Sequence, residues 1–478
     1  MRIINKQDLI MHGNNLGRRI VTEILEAGLD AANPYNNTKR LLRLVDNELI
    51  IGGKHFEPEG APLSGCEVVD LTKVRHIYVF GAGKGIQYVA KAIEDTLGDY
   101  LTGGHVIDKK GHEKILNKIE VSFGSHPLPD EDCILGCKRI VEMARAVGED
   151  DLVFLLTANG ISSLLTLPVP GVSLDDLRKV TKVMQIERGV PTTELNTIRN
   201  HLDMLKGGRI TKIFSQAKLI HILAVRPDSY ESLVLHNHWL HTLPDCTTLE
   251  DAINTLDKWE AWEEMPDSVK LFLQAASDED ETPKLNDFEN PFRVFGVMPD
   301  DLGMLSTAMK KAAELGITPI VLSENIQLEA THVSGVMAAI AKNIEQRKAP
   351  FKPPCALFTT GEFLVTVGKE LGIGGRNQEF VLSFAPAIAN SKQIVVGSVD
   401  SDGTDGPGDQ LNKGHLNIPC LAGGIVDGET CNQAIKIGID VSNELKKHNT
   451  SEVLWQVNSG IVATKNISLN DLSVILIM

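Results

Sequence analysis

Apolar runs and amphipathic stretches alternate along the chain, and this alternation predicts βα units. Residues 77–80 form a β-branched apolar run that leads into a glycine-rich turn, and apolar residues then recur at helical spacing over residues 86–97. Residues 152–156 repeat this arrangement, and residues 219–225 form a third buried strand candidate. Strands that alternate with helices are typical of a parallel α/β sheet.

The same pattern continues beyond an acidic stretch at residues 277–283, which we interpret as a solvated loop or a domain linker. Another βαβ unit is predicted there, with strands at residues 294–297 and 317–322 and a helix over about residues 300–315. From residue 356 onward, short β-rich runs are interrupted by glycines. A chain of 478 residues also exceeds the usual size of a single domain, so we expect at least two.

Composition narrows the class of partner. The formal net charge of −16 argues against a nucleic-acid or anionic-membrane binder, although a few arginines can still form a local anion pocket. No apolar run approaches the ~20 residues of a membrane span, and the N-terminus lacks the apolar region of a signal peptide. Seven cysteines without CxxC spacing are typical of reduced thiols. We therefore predict a cytoplasmic protein that acts on a small molecule.

The turn Gly81-Ala82-Gly83-Lys84 joins a predicted strand to a predicted helix. Glycines let a backbone approach an anion closely, and the helix N-terminus and Lys84 add positive charge. The spacing fits neither a Walker A motif nor a dinucleotide fingerprint. A tight turn with a solvent-exposed lysine remains the alternative.

A second polar motif is the run Gly374-Gly375-Arg376-Asn377-Gln378-Glu379. Its arginine is suited to bidentate recognition of a carboxylate or phosphate. A loop that caps a helix starting near Asn377 would explain the same residues.

Acidic residues concentrate at residues 400–409, after a strand predicted at residues 394–396. Carboxylates in such a cluster, Asp402 and Asp405 among them, suit Mg²⁺ or hydroxyl binding. Asp-Gly turns alone could also produce this composition.

Histidines 236, 238 and 241 offer a different chemistry. If His236 and His238 lie on a strand, both imidazoles share one face, and His241 could complete a transition-metal site. A solvated loop, or packing histidines beside Trp239, is the alternative.

In order, these motifs resemble those of the class II glycerate kinase (MOFRL-domain) family over nearly the whole chain. Lys84 lies in the family's GAGK motif, and residues 374–379 match its GGRNQE in full. The further matches are residues 125–131 with GHPxPDE, residues 199–209 with part of VRKHLSxIKGGR, residues 244–248 with PDxTT, and residues 401–407 with TDGIDGP.

The resemblance implies a phosphotransferase that uses Mg-ATP to phosphorylate a hydroxyl of glycerate or a related sugar acid. It also implies a Rossmann-like domain over residues 1–285, a smaller MOFRL-type α/β domain over residues 286–478, and an active site in the cleft between them. A homodimer is compatible with it. The catalytic residues it implies are Lys84, Arg376 and Asp402.

Further roles follow from the same resemblance. The residues expected to contact the acid are Gly81, Gly83, His126, Ser162, Arg199, His201, Asn377 and Glu379. Those expected to contact the nucleotide are Gly160, Lys206, Gly207, Gly374 and Gly375. Asp402 and Asp405 are the expected Mg²⁺ ligands.

The chain departs from the family where loops are rich in glycine or acid. Asn159 and Ile161 replace two glycines of the family's SGGGSALL loop, and Ile161 would fill an anion cradle and restrict φ. Arg226 stands in a segment that is acidic in the family. Either a kinase pocket has been retuned for a larger or differently charged sugar acid, with Arg226 as an added anchor, or the ATP site is lost. In the second case the chain would be a metal-dependent hydrolase, lyase or isomerase, or a binding protein for a polyhydroxy acid.

Overall fold

The computed structural model describes residues 2–289, 292–367, 372–406, 411–413, 416–467 and 470–478. It divides into two compact units. One unit is Pro34–Pro299, and the other combines Met1–Asn33 with Asp300–Met478. We refer to them as the central unit and the terminal unit.

The helices and strands are numbered in chain order. The helices are α1 (Lys6–Ile10), α2 (Asn15–Ala31), α3 (Pro34–Leu41), α4 (Ile86–Leu97), α5 (Glu131–Ala144), α6 (Ile161–Leu164), α7 (Leu174–Thr181), α8 (Thr192–His201), α9 (Arg209–Ile213), α10 (Leu249–Lys258), α11 (Asp267–Ala275), α12 (Met304–Glu314), α13 (Ala330–Arg347), α14 (Arg376–Ala387), α15 (Thr430–Lys436), α16 (Val441–Lys446) and α17 (Thr450–Gln456). The strands are β1 (Leu42–Val45), β2 (Glu48–Ile51), β3 (Glu67–Asp70), β4 (Ile77–Ala82), β5 (Gly103–Lys109), β6 (Glu120–Gly124), β7 (Leu152–Thr157), β8 (Lys218–Leu223), β9 (Val294–Gly296), β10 (Thr318–Ile326), β11 (Cys355–Gly361), β12 (Ile394–Asp400), β13 (Leu411–Lys413), β14 (Leu416–Ile418), β15 (Gly423–Asp427), β16 (Gly460–Ile461) and β17 (Asp471–Ile477).

A parallel sheet forms the core of the central unit. Within the described residues its strand order is β6-β5-β4-β7-β8-β9, and every neighbouring pair runs parallel. The predicted strands at residues 77–80, 152–156, 219–225 and 294–297 correspond to β4, β7, β8 and β9, so the parallel α/β prediction is confirmed. The chain winds outward in one direction from β4 and in the other from β7. In such a doubly wound sheet, ligands bind at the carboxyl ends of the two strands where the order reverses.

Local sequence explains the helices around this sheet. The apolar positions of α4, including Ile86, Val89 and Ile93, are wholly buried because they repeat on one face. Helix α7 begins with a capping box in which Ser173 and Asp176 bond reciprocally.

The terminal unit contains a mixed sheet with the order β10-β11-β17-β12-β15-β16. Strands β10 and β11 are parallel, whereas β17 pairs antiparallel with both β11 and β12. Strand β17 is buried along its whole length. The last strand of the chain is therefore a core strand of this unit.

The N-terminal segment belongs to the terminal unit, which differs from the predicted boundary at residues 285/286. Arg18 in α2 is fully buried, and its Nε lies 2.5 Å from Asp427 Oδ2. The apolar face of α2, including Ile24 and Leu25, shares a core cluster with β12 and β17 residues. The sequence of an amphipathic helix shows that one face packs against other residues, but it does not show which distant segment of the chain those residues belong to.

The acidic stretch at residues 277–283 lies at the surface, which agrees with the first of its two interpretations, a solvated loop, and not with a linker between the units. Its first residues are exposed, but Glu281 accepts hydrogen bonds from His201 (2.7 Å) and from the backbone N–H of Leu249 (2.9 Å). Thr282 is buried. The stretch is therefore an anchored surface turn, and the division between the units falls at Pro299/Asp300 instead.

All seven cysteines are free; Cys133, Cys137 and Cys355 are buried, whereas Cys66 and Cys246 are exposed. Over the described ranges, no helix combines the length and apolar character needed to cross a lipid bilayer.

Candidate active site

Two turns meet at the reversal point of the parallel sheet. The backbone N–H of Lys84, after β4, donates to the carbonyl of Asn159, after β7, at 2.8 Å. A Cβ on Gly83 would lie 2.6 Å from the Cβ of Ala158, and one on Gly81 would lie 2.2 Å from the carbonyl oxygen of Leu156. Both glycines are therefore needed for strand and turn packing. This is a different role from the predicted contact with substrate.

Gly160 separates the two side chains that face each other across these turns. Its φ of +85° is a conformation that favours glycine. A Cβ there would lie 2.9 Å from Lys84 Cγ and 3.1 Å from His126 Cδ2. The next residue, Ile161, is fully buried in the core of the central unit. The expectation that Ile161 fills the anion cradle is therefore wrong, because its side chain packs in the core and Gly160 keeps the positive φ.

His126 is positioned by the start of α5. Asp130 caps this helix by accepting from the N–H of Cys133 at 3.2 Å. The same carboxylate accepts from the Ser125 hydroxyl at 2.5 Å and from the Ser125 N–H at 3.2 Å. The residue before His126 is thus fixed to a helix cap.

A cavity of about 410 Å³ lies beside these turns. Its lining residues are His126, Pro127, Asn159, Gly160, Ser162, Ser163, Gln185, Thr192, Thr193, Asn196, Arg199 and Trp239. The lining is rich in amide and hydroxyl groups, which suit the hydroxyls of a small polar ligand.

Arg199, in α8, supplies the cavity's positive charge. Its guanidinium bonds Asn196 Oδ1 at 3.3 Å and Thr181 Oγ1 at 3.2 Å. Within the ranges that the structure describes, no carboxylate forms an ion pair with it, and Asn196 Nδ2 is buried without a hydrogen-bond partner. A half-buried guanidinium with only neutral partners is a site for an anion.

The electrostatic environment of His126, which also lines the cavity, agrees with an anion site. Burial, followed by the charges of Lys84, Lys109 and Arg199, lowers the pKa of His126 to about 4. Burial lowers the pKa of Arg199 to about 10, so it stays charged near neutral pH. The cavity therefore has a positive potential and a neutral imidazole.

The Ser162 hydroxyl, in the cavity lining, bonds a buried histidine. Ser162 Oγ lies 2.8 Å from Nε2 of His241, whose side chain is almost completely buried. Burial, followed by the charges of Lys206 and Arg199, lowers the pKa of His241 well below its usual value. Ser162 thus bonds a neutral imidazole.

Arg376, in the terminal unit, is held by aspartates. Its Nε donates to Asp471 at 2.8 Å and its Nη2 to Asp400 at 2.8 Å. Burial lowers the pKa of Arg376, but these carboxylates outweigh that effect and raise it overall. Burial and the neighbouring charges of Asp402 and Asp471 raise the pKa of Asp400 well above its usual value.

Comparison with known proteins addresses the whole chain. Residues 20–274 match a domain of unknown function (DUF4147), and residues 355–470 match the MOFRL family. The glycerate 2-kinase of Pyrococcus horikoshii is 32% identical over 98% of this chain and 98% of its own. The chain belongs to the class II glycerate kinase family. The D-glycerate 2-kinase of Thermotoga maritima is 31% identical over 86% of this chain and 93% of its own. A crystal structure of glycerate kinase from Thermotoga maritima matches with a TM-score of 0.76 at 28% identity and covers 96% of this chain and 99% of that chain.

Two class II glycerate kinase motif residues expected to bind ligand are buried in internal hydrogen bonds. Lys206 is buried, and its Nζ bonds Asp203 at 2.6 Å and Thr166 at 2.9 Å. His201 is buried between the carbonyl of Thr197 and Glu281. Their side chains do not line the cavity, and their contacts with nucleotide and acid stay predictions.

The glycines of the same class II glycerate kinase run support the cavity indirectly. Gly207 has a φ of +59°, and the N–H of Gly208 donates to the carbonyl of His241 at 3.0 Å. This turn fixes the His241 backbone, and the nucleotide contact of Gly207 stays a prediction. Arg226, the predicted acid anchor, is 55% exposed, pairs with Asp228 at 2.8 Å and does not line the cavity.

The GGRNQE run of the class II glycerate kinases mainly builds the start of α14. A Cβ on Gly375 would lie 2.3 Å from the Asp405 carboxyl group, and one on Gly374 would lie 2.1 Å from Thr450 Oγ1. Asn377 is fully buried and donates to Asp471 at 2.7 Å. Glu379 is buried beside His448 at 3.0 Å. In the structure these residues make packing contacts and internal hydrogen bonds, and their contacts with nucleotide and acid stay predictions.

The two predicted Mg²⁺ ligands of this class II glycerate kinase family member differ. Asp405 does not fit, because it is buried and its two oxygens accept from the N–H groups of Asn377 (3.1 Å) and Gln378 (2.9 Å). Burial raises the pKa of Asp405 to about 6. Asp402 is half-buried and one of its oxygens accepts from Thr404, so its carboxylate fits a metal shared with phosphate oxygens.

The histidine trio is not a metal site. Residues 236–241 form no strand; His236 is exposed and pairs with Glu231 at 3.3 Å, while His238 Nε2 lies 3.9 Å from Cys246 Sγ. Among the residues with described positions, no group of three His, Cys, Asp or Glu side chains could hold a metal ion. The transition-metal alternative is therefore wrong for this trio.

The sequence predicts different roles for Lys84, His126, Gly160, Ser162 and Arg199. In the structure, the last four line the cavity, and Lys84 lies beside Gly160. Sequence reasoning missed the neutral lining residues, such as Asn159, Asn196 and Trp239, as well as the pairing of His241 with Ser162. Asn159 was visible only as a departure from a glycine. The sequence alone does not distinguish a neutral amide side chain that lines a cavity from one on the exposed surface of a helix.

Proposed function

We propose that the protein is a kinase that transfers the γ-phosphoryl group of ATP to a hydroxyl of glycerate or a related hydroxy acid. The observation that carries this proposal is the unneutralised, half-buried Arg199 in a polar cavity at the reversal point of the sheet. The relatives named glycerate 2-kinase and D-glycerate 2-kinase support the reaction class.

In this proposal the acid's carboxylate binds in the cavity of the central unit. Arg199 provides a planar pair of N–H donors, and Ser162 and Asn159 flank it. Bidentate bonds of this kind fix orientation as well as position. The acceptor hydroxyl would then be held in one place relative to Lys84.

Lys84 would stabilise the charge that develops on the transferring phosphoryl group. Phosphoryl transfer relies mainly on positioning and on positive groups around the three equatorial oxygens, with little demand for a strong base. His126, with its low pKa, would orient the acceptor hydroxyl as a neutral imidazole instead of removing its proton.

The proposed cofactor is Mg-ATP. When bound, Mg²⁺ supplies charge neutralisation at the phosphates. Asp402 is the predicted ligand that fits this role. A direct catalytic role for Arg376, and its convergence with Lys84 in a cleft, stay predictions.

We further propose a cytoplasmic location, which the free cysteines support, and no nucleic-acid or membrane partner. A homodimer also stays a prediction.

A non-kinase enzyme or a binding protein is the weaker alternative. The glycerate 2-kinase relatives do not favour it. One of the loop changes that motivated it is accommodated by the fold, since Ile161 packs in the core and leaves the cavity open.

The decisive experiment combines binding with turnover. A thermal-shift titration with Mg-ATP, and acid-dependent ADP release over a panel of hydroxy acids that includes D-glycerate, should both be positive. Ligand at a hundredfold excess over its Kd stabilises the folded state by about 2.7 kcal/mol. Lys84→Met should abolish turnover, whereas Lys91→Met, in a surface ion pair on the following helix, should not. An absence of acid-dependent ADP release across the panel would refute the proposal.

A further inference from the structure

The bond between Ser162 and His241 has two forms with different consequences for the cavity. His241 is almost fully buried, and its backbone carbonyl is fixed by the N–H of Gly208. Its Nε2 lies 2.8 Å from Ser162 Oγ. In the described part of the chain, its other ring nitrogen, Nδ1, has no hydrogen-bond partner.

A neutral imidazole carries one proton, on either Nε2 or Nδ1. With the proton on Nδ1, Nε2 accepts from Ser162, and the Ser162 oxygen offers only lone pairs to the cavity. With the proton on Nε2, His241 donates to Ser162, and the serine must direct its own hydrogen elsewhere. Ser162 is thus an acceptor towards a ligand in the first form and a donor in the second.

The surroundings favour the second form. A proton on Nδ1 would leave a buried N–H without an acceptor, and orphaned buried N–H groups are rarer than under-satisfied acceptors. The cavity also contains Arg199, which calls for an anionic ligand whose oxygens only accept. A lone pair directed at such a ligand would repel it, whereas a hydroxyl hydrogen would bind it.

We propose that His241 is a positioning residue whose proton lies on Nε2, so that the Ser162 hydroxyl is a fixed donor to an anionic oxygen of the substrate. Arg199 and Ser162 then form a donor-only anion site, and the site selects the ionised acid over its carboxamide. This rests on the proposed function for the identity of the acid. The tautomer itself does not depend on turnover.

Selection arises because a carboxamide presents an NH₂ group to part of the site. The NH₂ hydrogens would face Arg199 or the Ser162 hydrogen, and a buried polar group would be left unpaired. We therefore expect the carboxamide of the best acid substrate to bind at least about tenfold more weakly than the acid.

The direct test is the tautomer of His241 in the full-length protein. Long-range ¹H–¹⁵N spectra of protein labelled with ¹⁵N-histidine distinguish the two neutral forms, and His241→Phe assigns the signal by its loss. We expect the Nε2-protonated pattern, unchanged between pH 6 and 9. An Nδ1-protonated or doubly protonated ring would overturn the proposal, whether or not the protein is a kinase.

A mutant cycle separates positioning from a structural role. Ser162→Ala should raise the KM of the acid about tenfold and leave the KM of ATP unchanged. His241→Phe should raise it less, because the serine hydrogen is then free to rotate, and the double variant should match Ser162→Ala alone. His238→Phe, in the same loop but outside the cavity lining, is the control and should behave as the unmodified protein. Additive effects of the two substitutions would contradict the assignment of His241.

Discussion

At the scale of single residues, Arg199 and His126 are coupled through charge. Arg199 is one of three cations that lower the pKa of His126, after the larger effect of burial. Arg199→Met should therefore raise the pKa of His126 above about 4, and it should lower kcat/KM for the acid at least tenfold by removing a charged hydrogen-bond donor. NMR titration of His126 and steady-state kinetics measure the two effects.

Arg226→Met is the matched control, because this arginine is exposed and pairs with Asp228 outside the cavity. It should change neither quantity. If the pKa of His126 stayed the same in Arg199→Met, the positive potential assigned to the cavity would be wrong.

Residue type alone predicted charge but not burial. Lys84, Lys206 and Arg376 all stand in polar, glycine-rich motifs, yet Lys206 lies in a buried ion pair and Arg376 between two aspartates. Asp471 is nearly a hundred positions from Arg376 along the chain. Such partners are brought together by sheet register, which a motif does not encode.

At the scale of elements, the loop between β7 and α6 offers a paired test. Gly160→Ala places a Cβ against Lys84 and His126 at a φ of +85°, so we expect it to cost about 1–3 kcal/mol in stability and to reduce activity. Ile161→Gly, which makes the loop more like the family's, removes a buried core side chain. It should cost at least about 2–5 kcal/mol and should not improve ATP affinity.

Chemical denaturation and ATP titration check both variants. Tighter ATP binding by Ile161→Gly would restore the view that isoleucine blocks the nucleotide site. An unchanged stability of Gly160→Ala would show that the turn can relax around a side chain.

Much of the fold could be predicted from local patterns. Strands β4, β7, β8 and β9 are short apolar runs followed by turns, and β4 and β7 are buried along their whole length. The site could be predicted as far as residues that follow these strands, since parallel strands end at one edge. Elements with distant partners, such as α2, could be recognised as helices but not assigned to a unit.

At the scale of the whole molecule, α2 makes the terminal unit depend on both ends of the chain. Residues 300–478 alone would expose the surface that α2 covers, so we expect this fragment to lack cooperative unfolding. Joining residues 1–33 to it through a long flexible linker should restore a cooperative transition, because it returns the buried Arg18–Asp427 pair and the apolar face. Circular dichroism melts of both fragments test this, and a cooperative melt of residues 300–478 alone would contradict it.

The two units should respond to acid in opposite directions. In the central unit, burial is the largest cause that lowers the pKa values of four histidines, namely His105, His126, His221 and His241. Between the unfolded value near 6.5 and their folded values, the unfolded state binds more protons, so stability falls as pH falls. In the terminal unit, burial raises the pKa of Asp405 from 3.8 to about 6. Between these two values the folded state binds more protons than the unfolded state, so the stability of this unit falls as pH rises and is regained on acidification.

Hydrogen exchange at pH 7 and pH 5, corrected for intrinsic rates, separates these effects by unit. Protection of β7 and β8 should fall at pH 5, by up to about 1.4 kcal/mol per pH unit for each histidine, whereas protection of β12 and β17 should hold or rise. Within the described residues, both ring nitrogens of His221 lack partners, and its ring lies 5.2 Å from that of Phe292. His221→Phe should therefore reduce the pH dependence of the central unit without a loss of stability at pH 7. Equal losses of protection in both units at pH 5 would show that acid acts on the molecule as one cooperative body, and not through the buried groups of each unit.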